Sequence, residues 1–300
     1  MIKRTLEIST HPSHLRVRRE QLEIVQRIDG VETKTSIPCE DIGLLMADQH
    51  ESTYTHAALA QLMESGAAVV LCGKDHLPSG MLLPLAEHTE VVWRLFDQIS
   101  ISQPLRKKLW QQIVQAKVRA QAQNLNADSS EYKRLQHLTD NVRSGDPTNI
   151  EAQAAKVYWS AWLGNGKTFR RNPEGKDSVN VLLNYGYAVE RASVARALVS
   201  AGLLPALGLH HSNRSNSFCL ADDLMEPLRP FIDARVRRLH LDGMDALNRM
   251  SKGALLEVLS QTVRIGNRTG PLITSLHSMA ASFVDCLEGK EKHLLIPELV

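Results

Sequence analysis

At 300 residues with 43% hydrophobic side chains, the chain can bury two compact cores, and no apolar run approaches the roughly 20 residues that span a bilayer. A formal charge of +2 does not identify a nucleic-acid binder, because phosphate is bound by local clusters of Lys and Arg rather than by the total. Cys39, Cys72, Cys219 and Cys286 form no C-x-x-C pair, which argues against a zinc knuckle or a disulfide framework. The start MIKRTLEIST carries no secretory apolar segment, so a soluble cytoplasmic protein with no membrane partner is expected.

From Lys3 to about Ser36, TLEIS, HLRVRR and QLEIVQRID alternate apolar with polar residues and predict short strands with a turn at Asp29-Gly30. IPCEDIGLLMAD is a further buried-strand candidate, YTHAALAQLMESG an amphipathic helix closed by Gly66, and AAVVLCG an interior strand. Pro78, Gly80 and Pro84 then break the pattern. Beyond about Glu87 the period turns helical, in VVWRLFDQI, LRKKLWQQIVQAKVRAQAQNL and SEYKRLQHLTDNVR. An α+β chain follows: a β-rich, sandwich-like domain over residues 1–80, a linker over 81–90 and an all-α domain over 91–300. The polar, basic stretch from Gly164 to Lys176 is expected as a mobile loop between helices.

Positive charge collects at Arg16, Arg18 and Arg19, at Arg106 to Lys108, at Lys167, Arg170 and Arg171, at Arg235, Arg237 and Arg238, and at Arg264 with Arg268. Taken singly, each cluster is adequately explained as one solvated face.

Three segments carry residues suited to chemistry. In DPTNIEAQAAKVYW (146–159), Glu151 falls in the first turn of a helix, where Thr148 and Glu151 also spell a capping box; locally the cap is the stronger reading. The pair His210-His211 follows the apolar run LLPALGL, so at least one imidazole projects from the end of a buried element, although adjacent side chains diverge and a lone surface histidine explains the pair equally well. ADDLMEPLRP (221–230) supplies Asp222, Asp223 and Glu226, yet Asp223 as N-cap with Glu226 at N3, followed by Pro227 and Pro230, would read as a helix start. Together, two carboxylates and an imidazole suit Mg²⁺ or Mn²⁺ at a phosphodiester, with Arg229 near enough in sequence to neutralise developing charge. AWLGNGKT (161–168) matches a relaxed P-loop pattern but follows a helical run instead of a strand, which argues against nucleotide hydrolysis and leaves Lys167, Arg170 and Arg171 as loop charge.

Taken in order, NIEAQAAKVYW (149–159), DSVNVLLNYGY (177–187), GLHHSN (208–213) and LADDLMEPLRP (220–230) resemble the CRISPR-associated integrase family, the catalytic subunit of spacer acquisition. KRTLEIS, IPCEDIGLLM and VVLCGKDHLPSGMLLPL extend the likeness over nearly the whole chain, and the spacing resembles the branch associated with single-protein RNA-guided effector nucleases. The resemblance implies Glu151, His211 and Glu226 as catalytic metal ligands for Mg²⁺ or Mn²⁺, with Asp223 in support or as an alternative ligand and His210 as the other histidine candidate. It implies joining of a 3′-hydroxyl of short captured DNA to the edge of a CRISPR repeat by transesterification. Lys167, Arg170, Arg171, Arg229, Arg235 and Arg238 are then candidates for double-stranded DNA backbone contact. A homodimer built on the N-terminal domain, a small ferredoxin-like partner bridging two dimers, and the effector nuclease are the expected protein partners. Competing readings are a metal-dependent nuclease on branched or single-stranded DNA and a non-catalytic DNA-binding module whose acidic residues are helix caps.

Overall fold

The computed structural model describes residues 3–85, 88–164 and 169–300. Its N-terminal part holds two four-stranded sheets. In one, β2 (Ser13–Arg18), β3 (Gln21–Ile28) and β4 (Val31–Pro38) form an antiparallel meander, with the short β6 (Thr53–Tyr54) parallel to β2. The β3–β4 turn uses Asp29 and Gly30, both at positive φ (51° and 81°), the two-residue hairpin geometry that matches strand twist. In the other sheet, β1 (Arg4–Ile8), β5 (Ile42–Ala47) and β7 (Ala68–Cys72) run parallel, and β8 (Pro78–Leu82) closes the edge antiparallel to β7. Pro78 and Gly80, expected to break the pattern, lie inside β8; a proline at the first residue of an edge strand leaves no ladder bond unmade. Helix α1 (His56–Glu64) is capped by Thr55, whose hydroxyl accepts the Ala58 N–H, and ends ahead of Gly66 at φ 70°.

The second sheet is buried on both faces. Leu45 and Val69 join Leu15, Leu22 and Leu62 in the core of the N-terminal part, whereas Leu44, Met46, Ala68 and Val70 point into the core of the helical part. The two halves therefore share a packed apolar layer instead of merely sharing a chain.

The helical part comprises α2 (Val91–Ser100), α3 (Gln103–Gln123), α4 (Ser130–Asp140), α5 (Ile150–Ala161), α6 (Ser178–Ser200), α7 (Cys219–Met225), α8 (Arg229–Leu241), α9 (Arg249–Glu257) and α10 (Leu272–Leu287). Helix α6 is buried on nearly every side and forms the axis around which α7, α8, α9 and α10 pack. At Gly186 an added Cβ would stand 2.4 Å from Ile232 of α8, so the glycine permits that close crossing. This part is not wholly α. A sheet of order β10-β9-β11 joins β9 (Thr262–Ile265), β10 (Arg268–Pro271) and β11 (Glu298–Leu299), because TVRIGNRTG alternates buried Val263 and Ile265 with exposed neighbours around a Gly266 turn. No helix among the described residues is long and apolar enough to cross a membrane. A buried ion pair also crosses the halves: Lys252 of α9 meets Asp48, just past β5, whose other oxygen lies 2.9 Å from His76 Nδ1.

Candidate functional site

Glu151 reaches the site because the start of α5 is capped without it. Asp146 accepts the N–H groups of Ile150 (2.8 Å) and Glu151 (2.9 Å), and Asn149, in the left-handed conformation, is the N-cap whose side chain accepts the Ala152 N–H at 3.2 Å. The expected Thr148–Glu151 capping box does not form. Its glutamate instead accepts a hydrogen bond from Lys117 Nζ at 2.6 Å.

The second carboxylate comes from the α7–α8 junction. Glu226 is the C-cap of α7, Asp223 lies inside that helix, and Pro230 occupies the first turn of α8, so Asp223 and Glu226 do not initiate a helix as the local pattern allowed. Glu226 accepts from the same Lys117 ammonium at 2.5 Å through Oε2 and from Arg229 Nε at 2.9 Å through Oε1. Burial alone would raise the Glu226 pKa; Arg229 and Lys117 outweigh it and hold the carboxyl at about 2. Burial likewise works against the charge of Lys117, and Glu226 and Glu151 more than compensate, raising its pKa.

The histidine is held by Asp223. Its carboxylate accepts backbone N–H groups from Leu209 (2.6 Å), His210 (2.9 Å) and His211 (3.2 Å), and pairs with His211 Nδ1 at 2.6 Å. The Gly-x-x-His spacing has a steric cause: a Cβ on Gly208 would lie 2.3 Å from the His211 carbonyl oxygen and 3.0 Å from Asp223 Oδ2. The Asp223 hydrogen bond, opposed by partial burial, lifts the His211 pKa above the ordinary imidazole range, to which Glu226 and Glu151 also contribute. With Nδ1 on Asp223, Nε2 is the nitrogen left for a ligand. His210 is turned elsewhere, stacked on Trp110 of α3 with centroids 4.2 Å apart and planes 1° from parallel.

Two of the three expected ligands thus converge on one cation, the Lys117 ammonium, and the third sits close enough to feel both carboxylates. Among the described residues no group of three His, Cys, Asp or Glu lies at metal-binding spacing, so the three side chains do not form a closed ligand set here. The donor chemistry nevertheless fits a hard divalent ion: two carboxylates, a free imidazole nitrogen, and a positive group already standing between the oxygens. Asp222 lies outside the group, bound to Arg191 (2.7 Å) and Asn216 (2.7 Å).

Behind this centre lies a buried polar layer. Asp233 of α8 accepts from the hydroxyls of Tyr158 (3.0 Å) and Tyr187, and burial, despite those bonds, pushes its pKa up to about 7. Arg229 lies over the Tyr187 ring, 4.6 Å from its centroid. Glu190 of α6 is fully buried with neither carboxyl oxygen hydrogen-bonded, and that burial raises its pKa well above the carboxylate range.

The basic candidates divide. Arg170 and Arg238 are exposed, the latter pairing with Asp242 (2.9 Å), and Arg235 lies 3.7 Å from Glu257. Arg171 binds Asn180 and Asn184 of α6, tying the basic stretch to that helix, and Arg229 is committed to Glu226. Lys167 lies outside the described residues. The functional group that sequence reasoning missed is Lys117. Its signal was its place on α3, three and four residues beyond the buried Val114 and Ile113 and next to Val118: a lysine on a core-facing stripe needs a counter-charge.

The family model for CRISPR associated protein Cas1 matches residues 6–248. The CRISPR-associated endonuclease Cas1 of Neisseria meningitidis serogroup C is 38% identical over 291 residues, covering 95% of this chain and 93% of that protein. In fold, the chain is similar to a casposase bound to integration product, with a TM-score of 0.80 and 19% identity over 98% of this chain and 92% of the other. It is also similar to a chain of a partial Cas6-RT-Cas1–Cas2 complex, with a TM-score of 0.64 and 17% identity over 99% and 100% of the two. The family model spans most of the chain and the Neisseria protein is matched over nearly its whole length, so the chain belongs to the Cas1 family of CRISPR-associated proteins.

Proposed function

We propose that this chain is a divalent-metal-dependent DNA integrase of CRISPR adaptation. The observation that carries the reading is the convergence of Glu151 and Glu226, 75 residues apart in sequence, on a single buried cationic position beside His211. Glu151, Glu226 and His211 Nε2 would hold Mg²⁺ or Mn²⁺. When bound, the ion supplies the charge that polarises a scissile phosphate and orients its leaving oxygen. Asp223 fixes the ring of His211 so that Nε2 faces outward, and Arg229 keeps Glu226 ionised; Lys117 holds the two carboxylates together before the ion arrives.

In the proposed reaction a donor 3′-hydroxyl oxygen forms a bond to phosphorus as the 3′-oxygen of the cut strand departs, taking a proton. One phosphodiester replaces another, so no nucleotide is hydrolysed. The casposase similar in fold, described as bound to integration product, and the neighbour from a partial Cas6-RT-Cas1–Cas2 complex support strand joining and a Cas2 partner. Two joinings, one on each strand of a repeat, call for paired copies of the chain.

The test supplies a short duplex with free 3′-hydroxyls and a supercoiled target carrying a repeat. Joined products are expected with Mg²⁺ or Mn²⁺ and none with chelator. Glu151→Ala should abolish joining while melting temperature and duplex binding persist; joining undiminished in that variant would overturn the proposal.

A further inference from the structure

The two adjacent histidines meet α3 in different ways. His211 pairs its Nδ1 with Asp223, whereas the exposed His210 lies flat on the buried Trp110, with ring planes 1° from parallel and centroids 4.2 Å apart. Among the described residues nothing hydrogen-bonds to the ring nitrogens of His210; its polar contact with the protein is the backbone N–H that it gives to Asp223. An exposed imidazole with no hydrogen bond to hold it would change rotamer freely, and the stack on an immobile indole is what fixes this one.

The His211 ring stands against the edge of that pair. Its plane is 86° from the planes of both His210 and Trp110, and its centroid lies 5.6 Å from the first and 5.9 Å from the second. Nearly equal distances to two rings 4.2 Å apart set His211 across the seam of the stack, bearing on both rings at once. The contact supplies a constraint that Asp223 does not. Rotation of an imidazole about Cβ–Cγ is broad and two-fold, so a ring tethered at Nδ1 alone still rocks about its tether and carries Nε2 through an arc. Asp223 decides which nitrogen points inward, and a perpendicular plate of two rings limits the rocking. Trp110 precedes Lys117 on α3 by seven residues, about two turns, so one helix carries both the cation between the carboxylates and the support beneath the histidines.

We propose that His210 and Trp110 are positioning residues, a stacked pair that holds the His211 imidazole so that Nε2 keeps one direction. His210 acts through its ring faces and edge, not its nitrogens, which separates this role from metal ligation and from contact with DNA. The holding of the ring stands on the geometry of the three rings; its use in binding an ion rests on the assignment of Glu151, Glu226 and His211 as metal ligands.

Variants at His210 test the pair, because that side chain is exposed and its loss should leave circular dichroism and melting temperature unchanged, whereas Trp110 is part of the core. In proton NMR of the metal-free protein, the Nδ1 proton that His211 gives to Asp223 is expected as a downfield resonance in slow exchange with water, identified by its absence in His211→Gln. It should persist in His210→Phe, which keeps the stack, and be lost to exchange in His210→Ala. In a Mn²⁺ titration followed by the electron paramagnetic resonance of the free ion, affinity should fall about 10-fold in His210→Ala, the usual scale for removing a group that orients a metal-bound histidine, and His210→Phe should restore most of it. The kcat of joining should fall with that affinity while KM for the duplex stays constant. An Nδ1 proton equally protected in His210→Ala and the parent overturns the proposal. So does a loss of Mn²⁺ affinity or of joining in His210→Phe as large as in His210→Ala, which would assign the work to the ring nitrogens. If the unmodified chain binds no Mn²⁺ while the resonance still follows the stack, the metal assignment fails and the positioning of His211 stands.

Discussion

With its ammonium 2.6 Å from Glu151 and 2.5 Å from Glu226, Lys117 occupies the place between the carboxylates that the proposed divalent ion would take, so on that reading the two cations would compete. Lys117→Met should therefore destabilise the metal-free protein by about 3 to 5 kcal/mol, the usual consequence of stranding a buried charge. Added Mg²⁺ or Mn²⁺ should recover more melting temperature in this variant than in the parent; equal shifts in both would show that the ion binds elsewhere. Two acidic groups of the site respond to pH in opposite senses. Glu226, held at about 2 because Arg229 and Lys117 overcome its burial, contributes stability above its unfolded pKa of about 4.3 that is lost as pH falls toward 2. Asp233, raised to about 7 chiefly by burial, contributes below an unfolded value of about 3.9 and loses that contribution as pH rises through 7. Denaturant titrations across pH 2 to 8 should show Glu226→Gln flattening the acid limb and Asp233→Asn flattening the slope between pH 4 and 7. An unaltered slope in either variant would remove that residue from the account.

At the scale of elements, the start of α5 sets the position of Glu151. Asp146 carries two of the four unpaired N–H groups of that helix end, so Asp146→Ala should cost about 1 kcal/mol by frayed capping. Joining should fall further than stability alone accounts for, since Glu151 then becomes the acid that can serve as a cap. If activity follows folded fraction and nothing more, Asp146 is only structural. This competition also explains what the sequence made legible. Alternation and turn residues located the N-terminal strands, and three- and four-residue steps located α2, α3 and α4, because those signals are local. The roles of Thr148, Glu151, Asp223 and Glu226 were not local. A capping box and an N-cap were valid short-range solutions, and they lost to Asp146, which lies three residues before the N-cap, and to backbone N–H groups twelve to fourteen residues before Asp223. Lys117 was legible only as a lysine on an apolar stripe, since its partners are 34 and 109 residues away. The β9–β10 hairpin was missed because two four-residue strands carry too few periods to stand out beside long helices.

At the scale of the molecule, the question is whether the sheet-rich and helical halves unfold as one. Their boundary contains both an apolar layer, Leu44, Met46, Ala68 and Val70 against the helical core, and the buried Lys252–Asp48 pair. These make different predictions. All four tryptophans lie at or beyond Trp93, so their fluorescence reports the helical half alone, whereas far-ultraviolet circular dichroism reports both. If the apolar layer couples the halves, the two signals should be lost together on heating. Asp48→Asn, which leaves the Lys252 ammonium buried opposite a neutral group, should lower stability by about 3 to 5 kcal/mol with the transitions still coincident. Asp48→Leu combined with Lys252→Met should recover most of that loss, because an apolar pair in the same volume restores packing without a charge to desolvate. A dichroism change that precedes the fluorescence change in Asp48→Asn would mean that the ion pair, and not the shared sheet, makes the molecule a single cooperative unit.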